Sequence, residues 1–292
     1  MNCDIRNQVA AVITCFLMSL SVAVASDSQT AFTPGEILHY KLRWGFIPAG
    51  EAELKVMPIE TIDGVQVFHF VMAARTNAFI DAFYRFHTRI DAYADLEMTR
   101  SIKYIKKTEL RRKQKVDTIN FDWQQNEARF HRREVLEGSP PEIKYQNQTT
   151  PLMAGSFDPL SAFYFTRTIN LDRLAHLERP VSDGKKCVVA KAQILKREQI
   201  KINGRTYDSF MIMPDLQNVR GVIPKSKNAK IHIWVSADRY QIPLRIKSKV
   251  VVGSFTGELV QVERPVKTQA GAGQARLSSG NYCCGETRKV YP

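Results

Sequence analysis

The feature that most constrains this chain is a succession of short segments, spread from residue 37 to residue 263, in which apolar and polar side chains alternate with a period of two. That period sends successive residues to opposite faces of an extended backbone, so each segment is expected to be a half-buried strand. In 37–44, Leu38, Tyr40, Leu42 and Trp44 form one face and His39, Lys41 and Arg43 the other. Residues 51–56 repeat the pattern, and Ile47-Pro48-Ala49-Gly50 is read as the turn between them. Asp63-Gly64 introduces a strand at 65–73, and further strands are expected at 88–94, 100–110, 115–122 and 128–135. A second series follows at 187–194, 198–202, 207–213, 230–236, 243–252 and 254–263, with Asn203-Gly204 as a hairpin turn inside it. Most connections are too short for crossover helices, so the pairing should be antiparallel.

Two segments carry helical signatures. Residues 77–86 place Phe79, Phe83 and Phe86 at helical spacing. Residues 158–167 open with Asp158 as an N-cap and Pro159 at the first helical position, a strong start signal. The expected fold is therefore mainly β: a large curved antiparallel sheet or half-open β barrel, with one or two short helices covering its concave face. Residues 149–155 read as a short polar loop, so 26–263 is taken as a single domain. After Arg264-Pro265 the apolar pattern stops, and 264–292, Gly/Ala/Ser/Gln-rich with Cys283-Cys284, is expected to be a disordered tail.

The first 25 residues read as an export signal: Arg6, an apolar run from Val9 to Ala25, and small residues at Ala23 and Ala25 before a polar stretch. The expected address is the periplasm or another exported location after cleavage near Ser26, with a retained N-terminal anchor as the alternative. Three cysteines then remain, Cys187, Cys283 and Cys284. An odd number leaves at least one thiol unpaired or intermolecular, and no redox or zinc spacing is present. Lys and Arg total 42 against 29 Asp and Glu, a net charge of +13. Such a surface favours anionic partners. For an exported protein these are anionic lipid, lipopolysaccharide or acidic envelope polymer, with possible peripheral membrane contact, rather than nucleic acid.

Several short motifs recur in order along the body: Phe32-Thr33-Pro34-Gly35-Glu36, Trp44-Gly45, Ala49-Gly50, Asp158-Pro159-Leu160-Ser161-Ala162 with Tyr164 and Arg167, and Asp183-Gly184-Lys185. Ile233-Trp234-Val235-Ser236, Pro243-Leu244-Arg245, Gly253 and Gly257-Glu258-Leu259 complete the set. From about residue 32 to residue 262 the chain resembles the bacterial exported family called domain of unknown function 3108. That resemblance implies no activity, cofactor or catalytic residue. A looser likeness is to periplasmic lipoprotein carriers of the LolA and LolB type, which implies a half-open barrel around a lipid cavity and is an analogy of fold.

Residues 100–115 hold eight Lys or Arg, and Arg129, Arg132 and Arg133 follow within a hairpin's reach. If these strands pair, Lys103, Lys106, Lys107, Arg111, Arg112, Lys113, Arg129, Arg132 and Arg133 make a basic rim. The bland alternative is a solvated edge kept from aggregating by charge. Tyr104, Phe121, Trp123 and Phe130 interleave with these cations as a nucleic-acid stacking platform would, yet alternate strand aromatics are commonly core. Tyr40, Trp44, Phe68, Phe70, Phe163, Phe165 and Trp234 are candidates to line an apolar cavity, or simply core. The six histidines have no metal-ligand spacing, and no nucleophile elbow or phosphate loop is present, so no cofactor or metal is expected. The leading expectation is an exported, non-enzymatic protein holding an amphiphilic anionic ligand, a lipid or acyl chain, in an apolar β cavity with a basic rim. The alternatives are an envelope assembly or acidic-polymer-binding module with a solid interior, and a hydrolase of envelope polysaccharide or lipid using acids such as Asp81, Asp91 and Asp95.

Overall fold

The computed structural model describes residues 31–215, 231–249, 254–265 and 289–290; the signal segment, Cys283-Cys284 and most of the tail lie outside them. The first series of strands is β1 (Ile37–Trp44), β2 (Ile47–Val56), β3 (Glu60–Ile62), β4 (Val65–Thr76) and β5 (Phe86–Asp95). It continues through β6 (Ser101–Leu110), β7 (Lys113–Asp122), β8 (Glu127–Leu136) and β9 (Glu142–Pro151). The second comprises β10 (His176–Ser182), β11 (Cys187–Ile202), β12 (Arg205–Pro214), β13 (Ile231–Ser236), β14 (Pro243–Lys249), β15 (Ser254–Glu263) and β16 (Lys289–Val290). Between β4 and β5 lies α1 (Ala78–Asp81), and between β9 and β10 lie α2 (Pro159–Thr166) and a short 3-10 turn.

The strands form one antiparallel sheet in the order β10-β11-β12-β13-β14-β15-β1-β2-β4-β5-β6-β7-β8-β9, with β3 on β4 and β16 on β15. It is two meanders joined side by side where β1 pairs with β15 along its whole length, from Ile37↔Glu263 to Trp44↔Phe255. The expected class, mainly β with a large antiparallel sheet and one or two short helices, is what the described residues adopt. The two-residue turns Asp63-Gly64 and Asn203-Gly204 both have positive φ at each position, the geometry whose twist matches flanking antiparallel strands.

The segment after β9 stitches the two ends of the path together. Ser101 N–H donates to the Ser156 carbonyl at 3.1 Å, while Phe157 N–H donates to Pro180 O at 3.0 Å and Ser182 N–H to Phe157 O at 2.8 Å. The start of β6 and the edge strand β10 are thereby fixed to one strip of chain. α2 starts from that strip. Asp158 Oδ1 accepts from the backbone N–H groups of Leu160 and Ser161 at 2.8 and 2.9 Å. Its Oδ2 accepts from Ser101 Oγ at 2.6 Å, and the same hydroxyl accepts from Asp158 N–H at 2.8 Å. Burial pushes the Asp158 carboxyl up, against the opposing pull of these hydrogen bonds.

A helix apolar on nearly every side belongs inside a protein. Leu160 and Tyr164 of α2 are fully buried, Phe70 stacks on Tyr164 at 3.9 Å, and Phe32 meets Phe68, Phe70 and Tyr164 edge-on, each at 5.3 Å. Around them close Leu38, Tyr40, Leu54, Val56, Ile90, Ala92, Leu244 and Leu259. The interior here is filled with side chains.

At the end of α2 stands Arg167, buried like its partner Glu36 at the start of β1. Arg167 Nη1 donates to Glu36 Oε1 at 2.7 Å and Nη2 to Oε2 at 3.2 Å, while Nη2 also reaches the carbonyls of Ala31 and Tyr240, each at 3.1 Å. Arg264, just past β15, donates to Glu36 Oε2 from Nε and Nη2 at 2.9 and 2.8 Å. Gln241 Nε2 donates to the carbonyls of Arg167 and Ile169. One carboxylate thus gathers the helix, one end of the central β1–β15 pair and, through Arg167, the β13–β14 turn.

Local structure departs from the sequence reading at several points. The β1–β2 turn is Gly45-Phe46, and Ile47–Gly50 belongs to β2; Pro48, which has no N–H for the ladder, sits where the register shifts opposite Leu42 and Arg43. The expected helix over 77–86 is a single turn, because Phe86 is taken into β5 and its N–H donates to Thr76 Oγ1 at 2.9 Å. The segments 187–194 and 198–202 are one strand, continuous through an irregularity between Ile194 and Lys196. β9, largely exposed and polar, and β10 carry too little apolar alternation to be read as strands.

Breaking a buried ion pair from one side costs about 3–5 kcal/mol because the remaining charge is stranded. Arg264 keeps its two bonds to Glu36 Oε2 when the guanidinium of Arg167 is removed, so Arg167→Met is expected to lower unfolding stability by the low end of that range, about 3 kcal/mol. Adding Glu36→Leu should recover part of the loss, so a double-mutant cycle in urea should show strong coupling; additive losses would contradict this account of the pair.

Candidate functional site

Beyond the start of α2 the inner face of the sheet changes character within one strand repeat. The row Ala92–Tyr104–Ile119–Phe130, read across β5, β6, β7 and β8, is buried and almost wholly apolar. Two residues along, the same face carries Ile90, Lys106, Asp117 and Arg132, and beyond it Lys115 and Glu134. The β10–β11 turn closes over this boundary. Asp183 Oδ1 accepts from the backbone N–H groups of Lys185 and Lys186, each at 3.0 Å, which shapes the turn. Gly184 has φ +80°, and a Cβ there would lie 2.9 Å from both Ile119 and Phe130. The turn is docked by Thr150 Oγ1 donating to Gly184 O at 3.1 Å and Gln148 Nε2 donating to Lys185 O at 2.7 Å.

Between turn, helix start and sheet is a cleft of about 130 Å³, lined by Tyr104, Lys106, Asp117, Ile119, Phe130, Arg132, Pro159, Asp183 and Lys185. Arg132 grips Asp117 bidentately, Nε to Oδ1 at 2.5 Å and Nη2 to Oδ2 at 2.7 Å. Lys185 Nζ lies 4.9 Å from the Phe130 ring centre and donates to Gln146 Oε1 at 2.9 Å. Burial holds the Lys106 ammonium below its ordinary value; Asp117 opposes this, and the charges of Arg132 and Lys115 reinforce it. Lys106, Arg132 and Lys185 outnumber Asp117 and Asp183 in the lining, so the cleft is suited to an anionic group. It is smaller than the roughly 300–1,000 Å³ typical of ligand pockets, a size for a phosphate or carboxylate rather than an acyl chain. Among the described residues no group of three metal-type ligands comes together.

The nine cations expected as one basic rim are divided by strand alternation. Lys106, Lys113 and Arg132 share the cleft face with Asp117. Lys103, Lys107, Arg129 and Arg133 lie on the opposite face, and Arg111 and Arg112 form the β6–β7 turn. The aromatic candidates do not meet in one place. Tyr40, Phe68 and Phe70 are core, with Tyr40 Oη donating to Pro243 O at 2.9 Å. Phe163 and Phe165 are half-buried on α2, and Arg179 lies 4.2 Å over the Phe165 ring. Trp234 donates from Nε1 to Glu198 Oε1 at 2.9 Å, and Trp44 is exposed at the end of β1. Tyr104, Phe121 and Phe130 are buried, and Trp123 gives its N–H to Ser101 O, so these four present no open stacking platform.

The acids considered for hydrolysis do not converge. Asp81, the last residue of α1, is held by Thr76 and His87. Asp91 and Asp95 lie four residues apart on β5, about 13 Å at strand rise. Asp95 accepts from Thr99 and from Arg100 N–H. Asp91 accepts from Arg89 and faces Nε2 of the buried His69, whose Nδ1 lies 2.6 Å from Glu60. Burial would raise the Asp91 carboxyl, but hydrogen bonds from His69 and Arg89 and their charges outweigh it and bring it down to about 2.

The sequence reading missed Asp117, Asp183 and Lys185 as lining residues. Asp117 lies inside a strand that the alternation places, and Asp183-Gly184-Lys185 stands out in the sequence only as a short motif.

The family described as "Protein of unknown function (DUF3108)" matches residues 39–260. Among solved structures, a beta-barrel-like protein of domain of unknown function DUF1849 from Brucella abortus is similar over 78% of this chain and 97% of its own, at 9% identity and a TM-score of 0.45. No curated protein matches the chain.

Gly184→Ala is expected to destabilise by about 1–3 kcal/mol, through the positive φ and overpacking against Ile119 and Phe130, read as a lowered urea midpoint at unchanged slope. The Asp91 carboxyl, depressed from its ordinary 3.8 to about 2, contributes stability above about pH 4 that is lost as pH falls towards 2, on the order of 2 kcal/mol. Asp91→Asn should therefore be less stable than the parent at neutral pH and converge with it near pH 2 in acid titrations of unfolding.

Proposed function

This chain belongs to the DUF3108 family, a membership that brings no chemistry with it, and from that premise we propose an exported, non-enzymatic protein of the cell envelope that binds anionic groups of an acidic envelope polymer. The observation that carries this reading is the cleft at the β10–β11 turn, where Lys106, Arg132 and Lys185 meet around a space sized for one phosphate or carboxylate. Lys103, Lys107, Arg129 and Arg133 on the other face of the same strands add a diffuse positive field that draws a polyanion in at long range.

Of the functions expected from the sequence, enclosure of an acyl chain is the less favoured. The space between α2 and the sheet is occupied by Phe32, Phe70, Leu160 and Tyr164, all fully buried. Hydrolysis is less favoured again, since Asp81, Asp91 and Asp95 are each engaged with local partners and lie apart. Export rests on the first 25 residues of the sequence alone.

Binding of polyphosphate and of polyglutamate by calorimetry tests the proposal. Both should bind at low salt, with affinity falling steeply as salt rises. Lys106→Gln combined with Lys185→Glu should weaken binding at least about tenfold, worth about 1.4 kcal/mol, while leaving the circular dichroism spectrum intact. Absence of binding to either polymer, or an unchanged affinity in the double variant, would overturn it.

A further inference from the structure

We propose that the end of the sheet formed by the β1–β2 turn and α1 is a docking surface for an anionic lipid bilayer. Six large apolar side chains are exposed there: Trp44 39%, Phe46 100%, Ile47 44%, Phe79 66%, Phe83 52% and Tyr84 56%. Single exposed apolar residues are ordinary, but a cluster of this size on one tip marks an interaction site.

The cluster is one rigid unit rather than two chance loops. Trp44 pairs with Ile47 across the β1–β2 turn, with Phe46 at its apex. Asn77 ties α1 to the neighbouring stretch of β2: its N–H donates to Ala49 O at 3.0 Å and its Nδ2 to Pro48 O at 2.7 Å. Asn77 Oδ1 also caps α1 by accepting from Ile80 N–H at 3.0 Å. Tyr84 N–H donates to Ile80 O at 2.7 Å, and Asp81 of the same turn faces His87 at 3.0 Å. Phe79 and Phe83 pack edge-on at 5.7 Å, so the two rings shield each other while both remain turned to solvent.

Cations border this apolar tip. Lys41 and Arg43 are exposed on β1 beside Trp44. Arg111 and Arg112 are exposed in the β6–β7 turn, at the same end because Leu110 pairs with Phe86 and Phe86 is bound to Thr76. Of the carboxylates nearby, Glu51 is held by Arg75, Glu109 by Arg85 and Asp81 by His87, and Glu137 is exposed beside Arg112. Aromatic side chains that sit at headgroup depth, ringed by arginine and lysine that meet lipid phosphates, are the pattern of a peripheral protein on an anionic membrane. This surface shares no residue with the cleft, so the two proposals stand or fall separately.

The test is co-sedimentation of the protein, as isolated from the cell envelope, with phosphatidylcholine vesicles with and without phosphatidylglycerol. The parent should bind the phosphatidylglycerol vesicles and bind phosphatidylcholine weakly. Phe46→Ser, Phe79→Ser and Phe83→Ser together should lower the bound fraction at least about tenfold, and Arg43→Gln with Arg111→Gln and Arg112→Gln should remove the preference for phosphatidylglycerol. Phe46→Trp, at a position wholly in solvent, should add emission that vesicles shift to the blue and brominated phosphatidylglycerol quenches. Unchanged binding in the triple serine variant, or no quenching at Phe46→Trp, would overturn the proposal. So would a parent dimer that the serine variant converts to monomer, which would give the patch to a second copy of the chain.

Discussion

The buried contact between Glu36 and Arg167 is the constraint on which the rest of the molecule hangs. A sheet of this length offers many nearly equivalent registers, and hydrophobic alternation alone rejects only slips that exchange the faces. At the central seam a charge pair removed from water rejects the others, because an arrangement that separates Glu36 from Arg167 leaves a buried guanidinium without its carboxylate. The guanidinium is satisfied by the carbonyls of Ala31 and Tyr240 as well as by Glu36, and Arg264 shares the carboxylate. Several separate pieces of chain must be correct at once for that cluster to close.

What the helix does follows from where that cluster holds it. With its far end pinned at Arg167 and its start capped by Asp158 against Ser101, α2 fills one stretch of the inner sheet face and stops. Apolar side chains line the face as far as Tyr104, Ile119 and Phe130; where helix cover ends, Lys106, Asp117 and Arg132 take over in the same strands. The cleft is thus the boundary between a filled and an unfilled part of one surface, which explains how a small polar space comes to lie against a dry core.

Most strands were legible because their alternation is strong, and β15 has the bounds read for it. Asp158-Pro159 announced α2 through chemistry that works locally, a carboxylate for the first N–H groups and a ring already set at the helical φ. Errors came where local signal and long-range pairing disagree. Phe79, Phe83 and Phe86 have helical spacing, yet Phe86 is worth more to the ladder with β6 and to its bond with Thr76 than to a contact three residues back with Phe83. β9 shows no alternation, since an edge strand exposed on both faces has no core to encode. The basic stretch looks like one patch in the sequence, but along these strands period two divides it between two faces. The cleft itself was illegible, because Asp183 and Lys185 reach Asp117 only through a turn that closes over strands far away in sequence.

The seam between β1 and β15 also dictates an order of assembly. Every other neighbouring pair on the main path joins strands close in the chain, hairpins or near-hairpins that close rapidly with little loss of loop entropy. β1 alone must wait for a partner more than two hundred residues downstream, and Glu36 beside it waits for Arg167 and Arg264. A chain emerging from its N-terminus can build the β2–β9 meander as it appears, yet β1 keeps one unpaired edge until nearly all of the body has been made. Closure of the seam is therefore a late event at the middle of the fold, where the beginning and the end of the body recognise each other.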